Sequence, residues 1–326
     1  MIERVRTRIR EAYIRHLERS LSDPPTHVAI IQDGNRRYAR QQGTDHVSGH
    51  RQGARTTAQV LEWCNDYGIE ELTLYAFSTE NFDRPPEERA AIFDLLEQKL
   101  VEFADADPVH ENGVSIRAIG DIDRLPNRVT EAIGYAEWRT AHHDEYRLNV
   151  ALAYGGRTQL LSAARGTLEA VADGTIDPDG IGIGTIEDRL YDRPVRDVDL
   201  ILRTGGDCRT SNFLPWHANG NEAAAVFTTP YWPEFDRIDF LRALRTYEHR
   251  EASWRRHRAW RAADLLRELG EGELGEARSV LQRYRDLLPE GALPVLDGDV
   301  DPDLDGTPAA TDGGVPEDRE RIPGDD

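Results

Sequence analysis

Lysine, cysteine and long apolar runs are scarce in this sequence, and each shortage excludes a class of protein. Lys99 is the only lysine and follows Gln98, which excludes a nucleotide-binding P-loop, because that loop needs a lysine directly after a glycine. The two cysteines, Cys64 and Cys208, lack the spacing of metal ligands and favour a reduced protein over a single disulfide. No apolar run approaches the roughly 20 residues of a membrane span, and Met1–Arg10 lacks the apolar segment of a signal peptide. A soluble, cytoplasmic protein is expected.

Acidic residues outnumber basic ones, and the basic ones are almost all arginine. The 326 residues include 60 Asp and Glu against 40 Lys and Arg, which gives a formal net charge of -20. Such a chain is a poor general ligand for nucleic acid or for an anionic membrane. Acidity with almost no lysine is typical of proteins from a cytoplasm of very high salt, where surface charge is screened. The composition therefore predicts a halophilic archaeon as the source, with biased genome composition as the alternative explanation.

The pattern of the sequence divides it into three parts. Residues 1–24 contain a predicted amphipathic helix, whose apolar positions recur every four residues and which Pro24-Pro25 ends. This helix is typical either of packing on the main body or of a weak membrane-surface contact. Residues 25–288 form the predicted globular domain. Residues 289–326 are rich in Asp, Gly and Pro and predict a disordered acidic tail.

Short apolar runs alternate with helical patterns through the globular domain. Strands are predicted at Val28–Ile31, Leu72–Phe77, Ser115–Ile119, Leu148–Tyr154, Leu200–Arg203 and Ala224–Phe227. Helices are predicted at Gly53–Asp66, Glu87–Ala104, Asn127–His142, Gln159–Ala172, Asp239–Leu269 and Glu271–Leu288. This alternation predicts an α/β fold with a central, mostly parallel six-stranded sheet flanked by helices. Ligands bind at the carboxyl ends of such strands, so site residues are expected after Ile31, Phe77 and Arg203.

The first of these strand ends carries residues suited to a phosphorylated ligand. Asp33 follows the buried strand, Gly34 forms a turn, and a helix is predicted to begin directly after it. Free N–H groups at a helix start and the guanidinium group of Arg37 suit a diphosphate. Asp33 can hold a Mg²⁺ ion that bridges the same phosphates. An ordinary Asp-Gly turn with solvated arginines is the alternative interpretation.

Four ordered motifs resemble those of the undecaprenyl diphosphate synthase family of cis-prenyltransferases. They are His27–Arg40 with Gly49-His50, Leu72–Pro85, Leu148-Asn149 with Tyr154–Arg157, and Asp199–Gly206 with Arg209–Leu214 and Trp216, followed by Glu222 and Tyr231–Asp236. The resemblance covers Thr26 to Arg250 and implies an enzyme that lengthens an allylic diphosphate with isopentenyl diphosphate. Together with the halophilic composition, the archaeal members imply geranylgeranyl diphosphate as the primer, in preference to farnesyl diphosphate. The implied product is a long undecaprenyl-like diphosphate, a precursor of a glycosyl carrier lipid.

The resemblance also implies roles for individual residues. Asp33 is the implied Mg²⁺ ligand, Glu222 a second metal-associated carboxylate, and Asn81 the residue that assists proton removal. The allylic diphosphate is expected to bind Gly34, Asn35, Arg36, Arg37, Tyr38, His46, His50, Ser78, Thr79, Glu80, Phe82 and Arg84. Isopentenyl diphosphate is expected to bind Arg203, Arg209, Thr210 and Ser211. Tyr38 and Phe82 are also typical of core aromatics, and Glu222 of a solvated helix end.

A place for the growing apolar chain is implied as well. The helix predicted after Arg84 is apolar over a wider surface than one packing face requires, with Ala90, Ala91, Phe93, Leu95, Leu96, Leu100, Val101 and Phe103. The family uses this region as the wall of a hydrophobic tunnel, although core packing gives a similar pattern. The resemblance further implies Mg²⁺ as cofactor, a homodimer, and a peripheral membrane contact for product release.

One family element is missing from the sequence. Many homodimeric members have an Arg-X-Gly element that reaches the isopentenyl site, whereas Arg250–Arg256 here has no glycine. Our hypothesis is that Arg250, Arg255 or Arg256 substitutes for it, and unchanged turnover of the triple alanine variant would reject this. The missing element also fits a non-catalytic partner subunit, but such subunits lose the Asp33 and arginine constellation that this chain keeps.

Three further patterns are interpreted without a catalytic role. The run Gly180-X-Gly182-X-Gly184 lacks dinucleotide-binding spacing and predicts a loop. The doublet His142-His143 predicts a solvated helix end in preference to a metal site. The paired Asp-Asp-X-X-Asp motifs of trans-prenyltransferases do not occur in the sequence.

Overall fold

The computed structural model of the protein describes residues 2–191, 195–218 and 223–268, with side chains described between residues 4 and 261. The chain falls into two compact units, Met1–Ala252 and Ser253–Asp326. The sheet belongs to the first unit, and the described residues 253–268 of the second are helical. The predicted helix Glu271–Leu288, the predicted acidic tail and Glu222 lie outside the described residues and stay predictions.

The centre of the first unit is one sheet of six strands. These are β1 (His27–Ile31), β2 (Glu71–Tyr75), β3 (Val114–Ile119), β4 (Tyr146–Ala151), β5 (Leu200–Arg203) and β6 (Ala224–Phe227). Their order is β3-β4-β2-β1-β5-β6, and every neighbouring pair is parallel. The predicted α/β class and six-stranded sheet are confirmed. Because all strands run the same way, their carboxyl ends share one edge.

Helices connect most successive strands, as parallel pairing requires. The described helices are α1 (Ile2–Arg19), α2 (Asn35–Gln41), α3 (His46–Asp66), α4 (Pro86–Ala104), α5 (Asp107–Glu111), α6 (Asn127–Thr140), α7 (Gly156–Ala172), α8 (Ile183–Leu190) and α9 (Arg237–Glu268). Short 3₁₀ turns, among them Thr79–Asp83 and Trp232–Glu234, complete the described elements.

Apolar side chains cover both faces of the sheet. All five residues of β1 are buried, which is typical of a central parallel strand. Successive side chains of a strand point to opposite faces, so Val28 and Ile30 join one apolar cluster while Ala29 and Ile31 join another. The larger cluster includes side chains from α3, α4, α6 and α9.

A buried polar network links the central strands. His27 Nε2 lies 2.8 Å from Thr73 Oγ1, and the amide nitrogen of Asn149 donates to Glu71 Oε1 at 2.7 Å and to Thr73 Oγ1 at 3.0 Å. A register shift would break these bonds and leave buried polar groups unpaired, at a cost of about 1–3 kcal/mol each. The network therefore fixes the register that aligns the strand ends.

The first helix is buried at its end and exposed at its start. Leu17 is fully buried, and Arg10 forms an ion pair with Asp236 at 2.7 Å. Val5 and Ile9 are 51% and 63% exposed, so packing on the main body accounts for only part of the apolar stripe. Among the described helices, none combines the length and apolar character needed to cross a membrane.

Several expected element boundaries differ from those of the structure. β4 ends at Ala151 instead of Tyr154, because Ala153 has a φ of 47°, which no regular strand accommodates. The loop predicted around Gly180–Gly184 instead contains the start of α8, at Ile183. The predicted α3 and α7 also begin earlier in the structure than expected.

Candidate active site

The carboxyl ends of β1 and β5 bring the first and fourth motifs together. The two strands pair with Ile31 opposite Arg203, so the residues that follow them meet. Asp33 Oδ2 lies 2.6 Å from Arg203 Nη2, and Asp33 Oδ1 lies 3.0 Å from Arg37 Nη2. Thr204 Oγ1 donates to the carbonyl of Asp33 at 2.8 Å. Burial raises the pKa of the Asp33 carboxyl, but the two guanidinium groups outweigh it and hold that pKa below its ordinary value. Asp33 is therefore a firmly ionised carboxylate.

Arg203 is the centre of a second set of contacts. Its side chain is 5% exposed and donates to Ser211 Oγ at 2.5 Å and to the carbonyl of Arg209 at 2.8 Å. It also contacts Asp207 Oδ2 at 3.1 Å, so the carboxylates of Asp33 and Asp207 share one guanidinium nitrogen. Sequence reasoning missed Asp207, because its contact with Arg203 depends on the turn that follows β5. The buried Nε of Arg203 has no hydrogen-bond partner among the described residues.

A cavity of about 490 Å³ opens beside these groups. Its polar lining consists of Gln32, Asp33, Asn35, Arg36, Arg37, Arg40, His50, Thr57, Arg84 and Lys99. Its apolar lining includes Leu74, Ala76, Ile92, Leu95, Leu96, Leu100, Phe103, Leu148, Val150 and Trp232. The cavity thus joins a cationic region to an apolar compartment bounded by α4 and by β2 and β4. This is the arrangement that the predicted tunnel requires.

The buried carboxylate of Glu88 pairs with two arginines that line the cavity. Glu88, 8% exposed, contacts Arg84 Nη1 at 2.8 Å and Arg36 Nε at 3.4 Å. The chain turn before α4 places Arg84 four residues ahead of Glu88, which is the helical spacing of an ion pair. Sequence reasoning missed Glu88 as well, because an acid in the first turn of a helix is ordinary.

Glycines allow the first motif to approach α3 closely. A Cβ on Gly53 would lie 2.3 Å from Asn35 Oδ1, and one on Gly49 would lie 2.3 Å from the carbonyl oxygen of Asn35. Gly34 has a φ of 105° and lies against Tyr231, so a side chain there would be strained and would clash. These glycines set the position of Asn35 at the cavity.

His50 occupies a cationic part of the cavity. Its pKa is lowered to about 4, mainly by burial and also by Arg84, His46 and Arg36, against the opposing effect of Glu88. Its Nε2 is buried and has no hydrogen-bond partner among the described residues. A neutral imidazole surrounded by arginines fits an anionic ligand, which would satisfy this nitrogen.

A pH dependence of stability follows from His50. Below its ordinary pKa of 6.5, the unfolded chain protonates His50, but the folded chain does so only near pH 4. The unfolded state therefore binds more protons in this window, and the free energy of unfolding falls as pH drops through it, by about 3 kcal/mol before solvent screening and by less after it. We expect urea titrations between these pH values to show a weaker fall for His50→Gln. His249→Gln, an exposed change, is the control, and equal slopes in all three proteins would contradict the assignment.

The second motif contains a 3₁₀ turn that is held by hydrogen bonds within the turn and to the segment after β4. Asn81 Oδ1 accepts the backbone N–H of Ser78 at 3.1 Å, and the N–H of Thr79 donates to the carbonyl of Tyr154 at 2.9 Å. Phe82 packs against Phe77, with ring centroids 5.0 Å apart, and belongs with the main core. The alternative interpretation of Phe82 as a core aromatic therefore describes its contacts best.

Other predicted site residues do not line the cavity. This set is Tyr38, His46, Ser78, Thr79, Glu80, Asn81, Phe82, Arg203, Arg209, Thr210 and Ser211. Arg203 and Ser211 join the site through Asp33, whereas the side chain of Arg209 is 68% exposed and pairs with Asp207 at 3.0 Å. The stretch Arg250–Arg256 belongs to α9, and its substituting role stays a prediction.

The fold and the site together define a class, a transferase that holds diphosphate esters of apolar chains. A carboxylate and several arginines at the carboxyl edge of a parallel sheet suit diphosphate groups, and the adjoining apolar compartment suits a hydrocarbon. Residues 31–255 match the family model for undecaprenyl diphosphate synthase, a prenyltransferase family. The chain belongs to the undecaprenyl diphosphate synthase family of cis-prenyltransferases.

Relatives and solved structures agree with this assignment. A protein of Halobacterium salinarum named tritrans,polycis-undecaprenyl-diphosphate synthase (geranylgeranyl-diphosphate specific) is 63% identical over 290 residues, covering 88% of this chain and 96% of the relative. A protein of the same name from Haloarcula marismortui is 60% identical, covering 89% and 95%. These matches agree with the halophilic source that the composition predicts.

Two crystal structures are similar to the fold. Lavandulyl diphosphate synthase from Lavandula x intermedia, in complex with dimethylallyl diphosphate, has a TM-score of 0.63 and 31% identity, covering 69% of this chain and 95% of that one. A probable undecaprenyl diphosphate synthase from Campylobacter jejuni has a TM-score of 0.56 and 32% identity, covering 70% and 96%.

Proposed function

We propose that this prenyltransferase condenses isopentenyl diphosphate units onto geranylgeranyl diphosphate and makes a long, undecaprenyl-like polyprenyl diphosphate. The observation that carries the proposal is the 2.6 Å contact between Asp33 and Arg203 beside an apolar cavity. The names of the haloarchaeal relatives support geranylgeranyl diphosphate over farnesyl diphosphate as primer. Such a product suits a glycosyl carrier lipid.

The direct test is a prenyl transfer assay with the purified full chain. Labelled isopentenyl diphosphate and Mg²⁺ are incubated with geranylgeranyl, farnesyl or dimethylallyl diphosphate in turn, and product lengths are read by chromatography. We expect the longest products and the highest kcat/KM with geranylgeranyl diphosphate. Preference for farnesyl diphosphate would contradict the primer, and absence of activity without a second protein would favour the partner-subunit alternative.

The residues beside the cavity fit Mg²⁺. Asp33 and Asp207 supply hard carboxylate oxygens close to each other, the class of ligand that Mg²⁺ prefers alongside water and substrate phosphates. Asp33 would hold the ion, with Glu222 as the predicted second carboxylate. When bound, Mg²⁺ would neutralise negative charge on the departing diphosphate.

The arginines and His50 would bind the allylic diphosphate. Arg36, Arg37 and Arg84 line the cavity, and rigid guanidinium forks suit phosphate oxygens. The helix α2 has only seven residues, so side chains provide most of the positive charge. His50 Nε2 can complete the contacts as a donor or through water.

Arg203, Ser211 and Arg209 would bind isopentenyl diphosphate. Arg203 lies between the Asp33 carboxylate and the Ser211 hydroxyl, so both substrates can meet at Asp33. The amide oxygen of Asn81 caps its own turn, which leaves the amide N–H₂ as the group that can orient a diphosphate or water during proton removal. An amide is a weak base, and we infer an orienting role for it.

Narrowing the apolar compartment is expected to shorten the product. Leu96→Trp adds volume on the face of α4 that lines the cavity, so chain growth should stop earlier while the first condensations continue. Overpacking costs about 1–3 kcal/mol of stability. Val101→Trp, on an exposed position of the same helix, is the matched control. Unchanged product length in Leu96→Trp would show that the growing chain takes another path.

The homodimer and the membrane contact for product release stay predictions. The exposed Val5 and Ile9 on α1 are consistent with a surface that meets either a second copy or a membrane. Light scattering of the full chain and sedimentation with lipid vesicles separate the two possibilities.

A further inference from the structure

Three histidines meet at the opposite edge of the sheet from the diphosphate site. His110 lies in the short helix α5 just before β3, whereas His142 and His143 lie in the turn between α6 and β4. Since β3 and β4 are parallel neighbours, the segments that lead into them come together at the amino-terminal edge. The cluster therefore joins two connections that are 32 residues apart in sequence.

The rings are close enough to share one ion. One nitrogen from each histidine lies within 4.8 Å of the other two. His110 Nδ1 and His143 Nε2 are 3.0 Å apart, and the ring centroids of His142 and His143 are 3.9 Å apart. Two imidazole nitrogens at such a distance share either a proton or a metal ion.

The second ring nitrogen of His110 lies on the other side of the ring from the nitrogen that faces His143. His110 Nε2 is shielded from solvent and has no hydrogen-bond partner among the described residues. Buried polar atoms normally have partners, and an orphan costs about 1–3 kcal/mol. Neutral imidazole is the form that binds metals.

We propose that His110, His142 and His143 form a site for a late first-row divalent ion such as Zn²⁺. Imidazole nitrogen suits Zn²⁺, Co²⁺, Ni²⁺ and Cu²⁺ and not Mg²⁺, so this site is chemically separate from the Asp33 site. The ion ties the segment before β3 to the segment before β4 and stabilises this edge of the sheet. Water or the Glu145 carboxylate would fill the remaining coordination position.

The structure differs in part from the solvated helix end that the sequence predicts for His142-His143. His142 is exposed, as expected, but α6 ends at Thr140 and His143 is half-buried against His110. The sequence could not show the third ligand, because the fold alone brings His110 to the doublet.

The test is a Co²⁺ titration of untagged, chelator-treated full-length protein in excess Mg²⁺, which occupies oxygen-ligand sites. We expect one equivalent of Co²⁺ to bind with a visible absorption band of nitrogen coordination, and Zn²⁺ to displace it. At a free Zn²⁺ concentration about 100 times Kd, linkage raises the melting temperature by roughly 5 °C. No stoichiometric binding in these conditions would overturn the proposal.

Variants locate the ion. His143→Ala and His110→Gln should abolish the absorption band and the shift in melting temperature. His142→Ala removes an exposed ligand with little risk to folding and should weaken binding at least tenfold. His257→Ala, an exposed histidine on α9, should change neither readout. Co²⁺ binding that persists in His142→Ala and is lost in His257→Ala would place the ion elsewhere and refute the assignment.

Discussion

Asparagine in place of Asp33 is expected to lower kcat/KM about a thousandfold, which corresponds to about 4 kcal/mol of transition-state stabilisation. The amide keeps the size of the side chain but loses the negative charge that Arg203 and Arg37 contact at 2.6 and 3.0 Å. It also loses the hard anionic oxygen that suits Mg²⁺, so charge on the departing diphosphate would be poorly neutralised.

Two further variants test whether the loss of activity in Asp33→Asn comes from the missing carboxylate. Asp33→Glu keeps the carboxylate and moves it by one methylene, so its activity should fall between those of the wild type and Asp33→Asn. Asp94→Asn, an exposed and ion-paired acid on α4, should leave kcat/KM unchanged. Initial rates with labelled isopentenyl diphosphate measure all three variants, with thermal unfolding as the check on folding. An Asp33→Asn enzyme with more than a tenth of wild-type kcat/KM would refute a central role for this carboxylate.

Lysine in place of Arg203 is expected to lower kcat/KM about a hundredfold, mostly through a higher KM for isopentenyl diphosphate. The positive charge remains, but the planar fork that reaches Asp33, Ser211 and the carbonyl of Arg209 is lost. Hydrogen bonds to charged groups contribute about 1.5–3 kcal/mol each, so losing one or two explains this magnitude.

Lysine in place of Arg203 is also expected to alter the loop after β5. Ser211, Asn212 and Leu214 have φ values of 48°, 61° and 46°, a strained set that the Arg203 contacts help to hold. Kinetics with each substrate varied in turn separate a binding loss from a general loss. Arg196→Lys, an exposed arginine paired with Glu70, is the matched control. If the KM for the allylic primer rises and the KM for isopentenyl diphosphate does not, Arg203 binds the primer and the prediction is wrong.

Local pattern was sufficient for most of the fold, and its failures have physical causes. β5 and β6 match their predicted bounds, because each is a short apolar run between turn residues. Helix α3 begins at His46 instead of Gly53, since Asp45 caps it by accepting the N–H of Ser48. Gly49 and Gly53 lower helix propensity, and they are present because Asn35 packs against them, a contact invisible in the sequence.

Some residues of the candidate active site were predicted from the sequence, and others were missed. Asp33, Arg37 and Arg203 were predicted from motifs and lie together, since β1 and β5 are neighbours in one parallel sheet. Glu88 and Asp207 were missed, because acids at those positions look like ordinary surface charge until their arginine partners are known.

By itself the sequence determined the class of fold, the family and the chemistry of the residues at the strand ends. Those properties depend on local spacing and residue type, which a chain carries whether folded or not. Tertiary structure alone decided which acids hold the arginines, that Phe82 packs against the core, and that His110 meets His142 and His143. These pairings depend on strand order and helix packing, which bring distant residues within a few ångströms of one another.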